Sequence, residues 1–204
     1  MTTVYLAIYD TMADWEAGYA VAHINSPEFQ RKPGRYQVAT VGRTSDAIVT
    51  KGGLRILPDI PIADVELDES ALLILPGADI ALEGGINEFA KLARRFLGAD
   101  VPVAAICGAT AALAREGLFD EMPHTSNARE FLESTGYRGG EFYVDQPAVT
   151  AGRLITASGI APVAFATEIF RMLDLYDEPT LDAWSRLYGA QDPSGFYALM
   201  ARHG

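Results

Sequence analysis

Five short stretches, residues 4–9, 37–41, 71–75, 101–106 and 154–157, are apolar at nearly every position rather than at alternate ones. A strand covered on both faces reads this way, because side chains on either side of the pleat must leave water. Between them, residues 12–24, 86–97, 108–116, 128–134 and 161–173 place apolar side chains three and four apart, the period of a helix with one buried face. Strands buried on both sides and alternating with helices predict a parallel sheet sandwiched between helices. Residues 48–57, centred on Gly52-Gly53, read as a hairpin beside that sheet. Asn127 with Glu130 three residues on has the form of a capping box, and Gly117 falls where a glycine closes a helix. After Asp177-Glu178-Pro179, Leu181, Trp184, Leu187 and Tyr188, then Phe196, Leu199 and Met200, mark two short amphipathic helices. The expected organisation is one α/β domain over residues 1–178 with a helical extension, 179–204, packed on it or on a partner subunit.

Composition narrows the functional classes. Of 204 residues, 49% are apolar and 21% charged, the balance of a folded globular chain. With 16 basic and 27 acidic side chains the formal charge is −11, and the basic residues form no stripe. A surface that binds phosphate needs the opposite sign, so neither nucleic acid nor an anionic membrane is an expected partner. No apolar run is long enough to span a bilayer, and the start of the chain lacks a basic leader. A single cysteine allows no intrachain disulfide, and the expected compartment is the cytoplasm.

That cysteine stands at a chemically suggestive place. In Val103-Ala104-Ala105-Ile106-Cys107-Gly108-Ala109-Thr110 an apolar strand runs straight into a helix, and Cys107 has alanine two positions before and two after. A nucleophile elbow needs small residues there because its strained turn brings those backbones together. The unpaired N–H groups of a helix start would favour thiolate over thiol; equally, a lone cysteine after an apolar strand serves as a small buried hydrophobe. In Leu75-Pro76-Gly77-Ala78 another strand stops at a turn whose Gly77 N–H, with that of Gly108, could face an oxyanion; the same residues make an ordinary turn. Asp14 and Glu16 follow the first strand, where carboxylates suit a helix N-terminus as readily as a catalytic site.

Together, the first-strand end with Glu16, the Leu75-Pro76-Gly77 turn, the Ala105-Ile106-Cys107-Gly108 elbow and Leu154-Ile155-Thr156-Ala157-Ser158-Gly159 before a last helix resemble the ThiJ/PfpI superfamily, over residues 3–175. Its relatives are the class I glutamine amidotransferase-like proteins. The resemblance implies a flavodoxin-like three-layer α/β/α sandwich with a mostly parallel sheet, Cys107 as elbow nucleophile, Glu16 hydrogen-bonded to its sulfur, and a homodimer. It departs from many members in having Gly108, not histidine, directly after the cysteine. Of the three histidines, His124 resembles a downstream histidine that some members place near the cysteine; the other reading is a surface histidine beside a helix cap. His23 and His203 are expected to be solvated.

A late His-x-Glu pair for glutaminase activity is missing, as is the Asp and hydroxyl pattern of isocyanide hydratases. No metal-ligand spacing or phosphate loop is present, so no metal or cofactor is implied. The resemblance implies chemistry on a small reactive carbonyl such as methylglyoxal, with Cys107 adding and Glu16 and His124 moving protons. The alternatives are a cysteine-based oxidative-stress sensor and an intracellular peptidase or amidase.

Overall fold

The computed structural model describes the backbone of residues 1–203 and the side chains through Arg202; the expectation for the His203 side chain falls outside them. Seven strands form the central sheet. In spatial order they are β5 (Ile60–Pro61), β2 (Tyr36–Gly42), β1 (Thr2–Ala7), β6 (Ser70–Leu75), β7 (Val103–Ile106), β9 (Leu154–Ala157) and β8 (Ala148–Ala151). All neighbours run parallel except β8 against β9. β7 and β9 are buried at every position, as their unbroken apolar sequences require. Helices α1 (Gly18–Asn25) and α5 (Pro162–Met172) pack together on one face, α2 (Asn87–Gly98) and α3 (Gly108–Arg115) on the other. The result is the three-layer, mostly parallel α/β/α sandwich of the flavodoxin-like class. Residues 48–57 form the separate hairpin, β3 (Ile48–Val49) against β4 (Arg55–Ile56), turning through Gly53 at φ +82°.

Gly117 closes α3 as read from the sequence. Its N–H donates to Ala114 O and the next N–H to Leu113 O, with Gly117 at φ +65°. α6 (Glu178–Gly189) starts at Asp177, whose carboxylate accepts from Thr180 N at 2.8 Å, and α7 (Ser194–His203) folds back against it. Trp184 of α6 is fully buried and meets Tyr19, Phe170 and His23 edge-on. Burying a side chain of this kind contributes on the order of 1.5–3 kcal/mol, which ties α6 to α1 and α5. Among the described residues no helix is long and apolar enough to cross a membrane.

Three expectations are corrected. The helix predicted over residues 12–24 begins only at Gly18; before it the backbone N–H groups of Thr11 and Ala13 donate to Val49 O and Gly77 O, and only a turn, Glu16 N–H to Ala13 O, leads into the helix. The capping box does not form: α4 (Arg129–Glu133) starts from Ala128 without a side-chain cap. His23 is half-buried and partnered rather than freely solvated: its Nε2 accepts from Trp184 Nε1 at 3.1 Å and its Nδ1 pairs with the Tyr176 hydroxyl at 3.2 Å.

Candidate active site

The chain leaves β1 towards β2 on one side and returns to β6 on the other, so the carboxyl ends of β1 and β6 flank a topological switch point, where open α/β sheets place their ligands. Three consecutive strands of the sheet deliver the candidate groups there: β1 leads to Glu16, β6 to Gly77 and β7 to Cys107.

Cys107 joins β7 to α3 with φ +57° and ψ −126°, outside the regions an L-residue ordinarily occupies. The strain is held by bonds on either side of it. Cys107 N–H donates to Ala157 O at 3.0 Å, and Cys107 O accepts from Thr110 N at 3.1 Å and from Thr110 Oγ1 at 2.6 Å. Two glycines close over the side chain. A methyl group on Gly77 would stand 3.0 Å from Sγ and 2.7 Å from Cys107 Cβ; one on Gly159 would stand 2.7 Å from Sγ and 3.1 Å from Glu16 Oε1. Both positions need glycine because backbone approaches the sulfur that closely.

Glu16 is buried to 1% exposure. Its Oε2 accepts from Gly77 N at 2.5 Å, while Oε1 has no partner in hydrogen-bond geometry and the carboxyl interacts with the Cys107 side chain. Burial pushes this carboxyl up to about 7, against the opposing pull of the Gly77 N–H and the thiol. Burial, and then the Glu16 charge, push the Cys107 thiol up to about 11, although Asn127 and the Gly108 N–H draw it down. The expectation that the helix start would lower the thiol is therefore corrected: desolvation and the neighbouring carboxylate outweigh the Asn127 amide and the Gly108 N–H at the start of α3. Removing the proton from either group makes it harder to remove from the other, so between about 7 and 11 the pair holds one proton, and the sulfur carries it.

Gly77 N–H, expected to face an oxyanion, is committed to Glu16. Gly108 N–H remains directed at the sulfur. His124 is fully buried and no hydrogen bond links it to the thiol: Nδ1 pairs with Met122 O at 2.9 Å, Nε2 with the Tyr137 hydroxyl at 3.1 Å, and the ring stacks on Phe119 at 4.3 Å. A carbonyl on one side fixes the proton on Nδ1, leaving Nε2 to accept. His124 therefore anchors its loop. Asp14 likewise serves structure, its Oδ2 accepting from Gly52 N of the hairpin at 2.7 Å.

The sequence reading missed Asn127 as a site residue. Its Nδ2 lies 3.4 Å from Sγ, and its Oδ1 accepts from Gly159 N at 2.9 Å. Asn127 also lines a cleft of about 940 Å3 bordered by Tyr19, Ser158, Ile160, Glu168 and Tyr188. Tyr9 was missed too; it is buried beside the pair, and burial followed by the Glu16 and Cys107 charges raises its phenol. Among the described residues no group of histidine, cysteine and carboxylate side chains is arranged to hold a metal.

A mostly parallel sheet with a strained cysteine elbow, a buried glutamic acid at the sulfur and glycine backbone closing over it defines the class of cysteine-elbow α/β proteins. The chain belongs to the DJ-1/PfpI family, whose model matches residues 2–172. A Bacillus subtilis protein named as an uncharacterized protease, YoaZ, is 40% identical over 97% of this chain and 95% of its own length. A crystal structure of a thiJ/pfpI family protein from Bacillus anthracis shares 40% identity and superposes with a TM-score of 0.92, covering 98% of this chain and 97% of that one. A DJ-1 superfamily protein from Agrobacterium tumefaciens, 29% identical, superposes with a TM-score of 0.83 over 94% of this chain and 100% of its own.

Proposed function

We propose that the protein is a cofactor-independent enzyme acting on small reactive carbonyls, with Cys107 as nucleophile and Glu16 as the single proton carrier. One observation carries the reading: the Glu16 carboxyl, 1% exposed and pushed up to about 7 by its burial, lies against the Cys107 thiol at the strained elbow. A general base works best when its pKa lies near the working pH, and Glu16 meets that condition. As sulfur attacks the aldehyde carbon of a 1,2-dicarbonyl, the thiol proton passes to the Glu16 carboxylate. The carbonyl electron pair moves to oxygen, which takes a proton back, leaving a hemithioacetal. Loss of the C1 proton to Glu16 and its return at C2 make C1 a thioester and C2 a secondary alcohol, without net oxidation. Water then cleaves the thioester, releasing a 2-hydroxy acid and restoring the thiol. The adjoining cleft carries Asp145 and Glu168 and no basic side chain, which favours neutral carbonyls over oxo acids or phosphorylated aldehydes.

The test is methylglyoxal turnover by wild type, Cys107→Ser and Glu16→Gln. Loss of a general base typically costs 10²–10⁴-fold, and Glu16→Gln is expected to lose on the order of that factor. No turnover by wild type above the Cys107→Ser background would overturn the reading.

The donors around the sulfur also favour a second reading, a redox sensor. Two equivalents of peroxide convert the thiol to a sulfinate and two waters, and the Gly108 N–H, the Asn127 amide and a protonated Glu16 suit its oxygens. Intact mass after mild peroxide, with Cys107→Ser as control, tests that reading. Peptide hydrolysis is less favoured: no histidine bonds the sulfur among the described residues, which leaves Glu16 alone to protonate an amine leaving group.

A further inference from the structure

The sulfur needs donors for its anionic states, and the structure withholds the one that the Pro-Gly turn seemed to offer, since Gly77 N–H is bound to Glu16 Oε2 at 2.5 Å. Asn127 stands on the other side of the thiol. The Gly159 N–H, a donor, points at its Oδ1 at 2.9 Å, and that contact determines which way the amide faces. An N–H can only be met by the oxygen, so the NH2 group must face Sγ, at 3.4 Å. Gly159 is itself fixed: its carbonyl accepts from Trp15 Nε1 at 3.3 Å, and the space beside its Cα is closed by the sulfur. The loop carrying Asn127 is pinned by Ser126 Oγ to Thr110 Oγ1 at 2.6 Å and by Thr125 N to Thr156 Oγ1 at 2.9 Å. One amide hydrogen is thus held on the sulfur, and the other hydrogen of the same nitrogen remains for a molecule in the cleft that Asn127 lines.

We propose that Asn127 is a catalytic residue, an amide donor locked by Gly159 that stabilises the Cys107 thiolate and then the oxygen formed when a carbonyl is attacked, in partnership with the Gly108 N–H. It rests on Cys107 being the nucleophile. Removing one preorganised donor of this kind typically costs about 10²–10³-fold in turnover, and a carboxylate in its place adds repulsion.

Two readouts separate this assignment from the carbonyl reading. The first uses no substrate: the rate of Cys107 alkylation by iodoacetamide at a fixed alkaline pH. Asn127→Ala should slow it several-fold, and Asn127→Asp should slow it further, because one carboxylate oxygen still meets Gly159 N–H while the other confronts the sulfur. Asn127→Asp keeps the Gly159 contact, so it decides the matter if the alanine variant unfolds, and thermal melts check both. The second readout is methylglyoxal kcat/KM, in which Asn127→Ala should lose about 10²-fold, a single donor's worth. Slower alkylation with no turnover in any form, wild type included, supports the donor while the carbonyl reading falls. Alkylation by folded Asn127→Asp at the wild-type rate overturns the donor assignment, whatever the turnover.

Discussion

At the scale of single residues, the site is organised around one buried proton. A carboxyl raised by the fold above its usual value is protonated more readily when folded than when unfolded. Its favourable contribution is complete below about 4.5 and is lost as pH rises through about 7. Glu16→Gln keeps an acceptor for Gly77 N–H and removes the charge. Relative to wild type, the variant should therefore gain about 2–3 kcal/mol between pH 5 and pH 8, measured by urea unfolding at both values. A difference that stays constant with pH would show that Glu16 is ionised freely. Cys107 and Glu16 were legible as candidates because strand end, elbow and helix start leave local marks. Asn127 was misassigned because Asn127 and Glu130 spell a cap in one dimension; the contact that claims its side chain comes from Gly159, 32 residues away. His124 was credited with a site role from its position in the chain, but aromatic neighbours and two local partners bury it.

At the scale of elements, the hairpin β3–β4 explains why residues 12–17 are not helical. Val49 N–H donates to Asp10 Oδ1 at 2.8 Å, Lys51 N–H to Met12 O at 2.9 Å and Gly52 N–H to Asp14 Oδ2 at 2.7 Å. The Thr50 hydroxyl and Gly52 N–H hold the Asp14 carboxyl below its usual range. These bonds hold the turn that carries Glu16, whose N–H closes on Ala13 O, against the hairpin. Asp14→Ala should lower stability by about 1–2 kcal/mol and speed exchange of the Gly52 amide; unchanged exchange would detach the hairpin from the site. The apolar period alone could not reveal this, because the segment's partners are backbone groups of β3, β4 and the turn after β6. The same limit hid β8, a short edge strand of mixed burial joined to β9 through Gly152 at φ +57°. Strands buried on both faces, such as β7, were readable to within two or three residues.

At the scale of the whole molecule, α6 closes one face of the sandwich on an aromatic cluster with a neutral histidine inside it. Burial lowers His23, with the Glu28 charge opposing, so the fold prefers the uncharged ring. A histidine depressed in this way adds stability that is complete above its unfolded value near 6.5 and is lost as pH falls through the folded value. Proton NMR of the folded protein should place the His23 midpoint below 6.5; a midpoint at or above it would mean that the Trp184 N–H does not bond the ring. The three-layer architecture was readable from the alternation of apolar runs, whereas the way α6 seals α1 and α5 depended on which aromatic residues meet across the fold.

The claim that Cys107 keeps its proton beside the buried Glu16 carboxylate is tested most directly by thiolate absorbance near 240 nm, titrated in wild type with Cys107→Ser as blank and repeated for Glu16→Gln. The account predicts that wild-type thiolate appears with a midpoint of about 11 and that Glu16→Gln, lacking the neighbouring charge, brings the midpoint down by about one unit or more. A wild-type sulfur fully ionised at neutral pH, with a midpoint unmoved by Glu16→Gln, would contradict it.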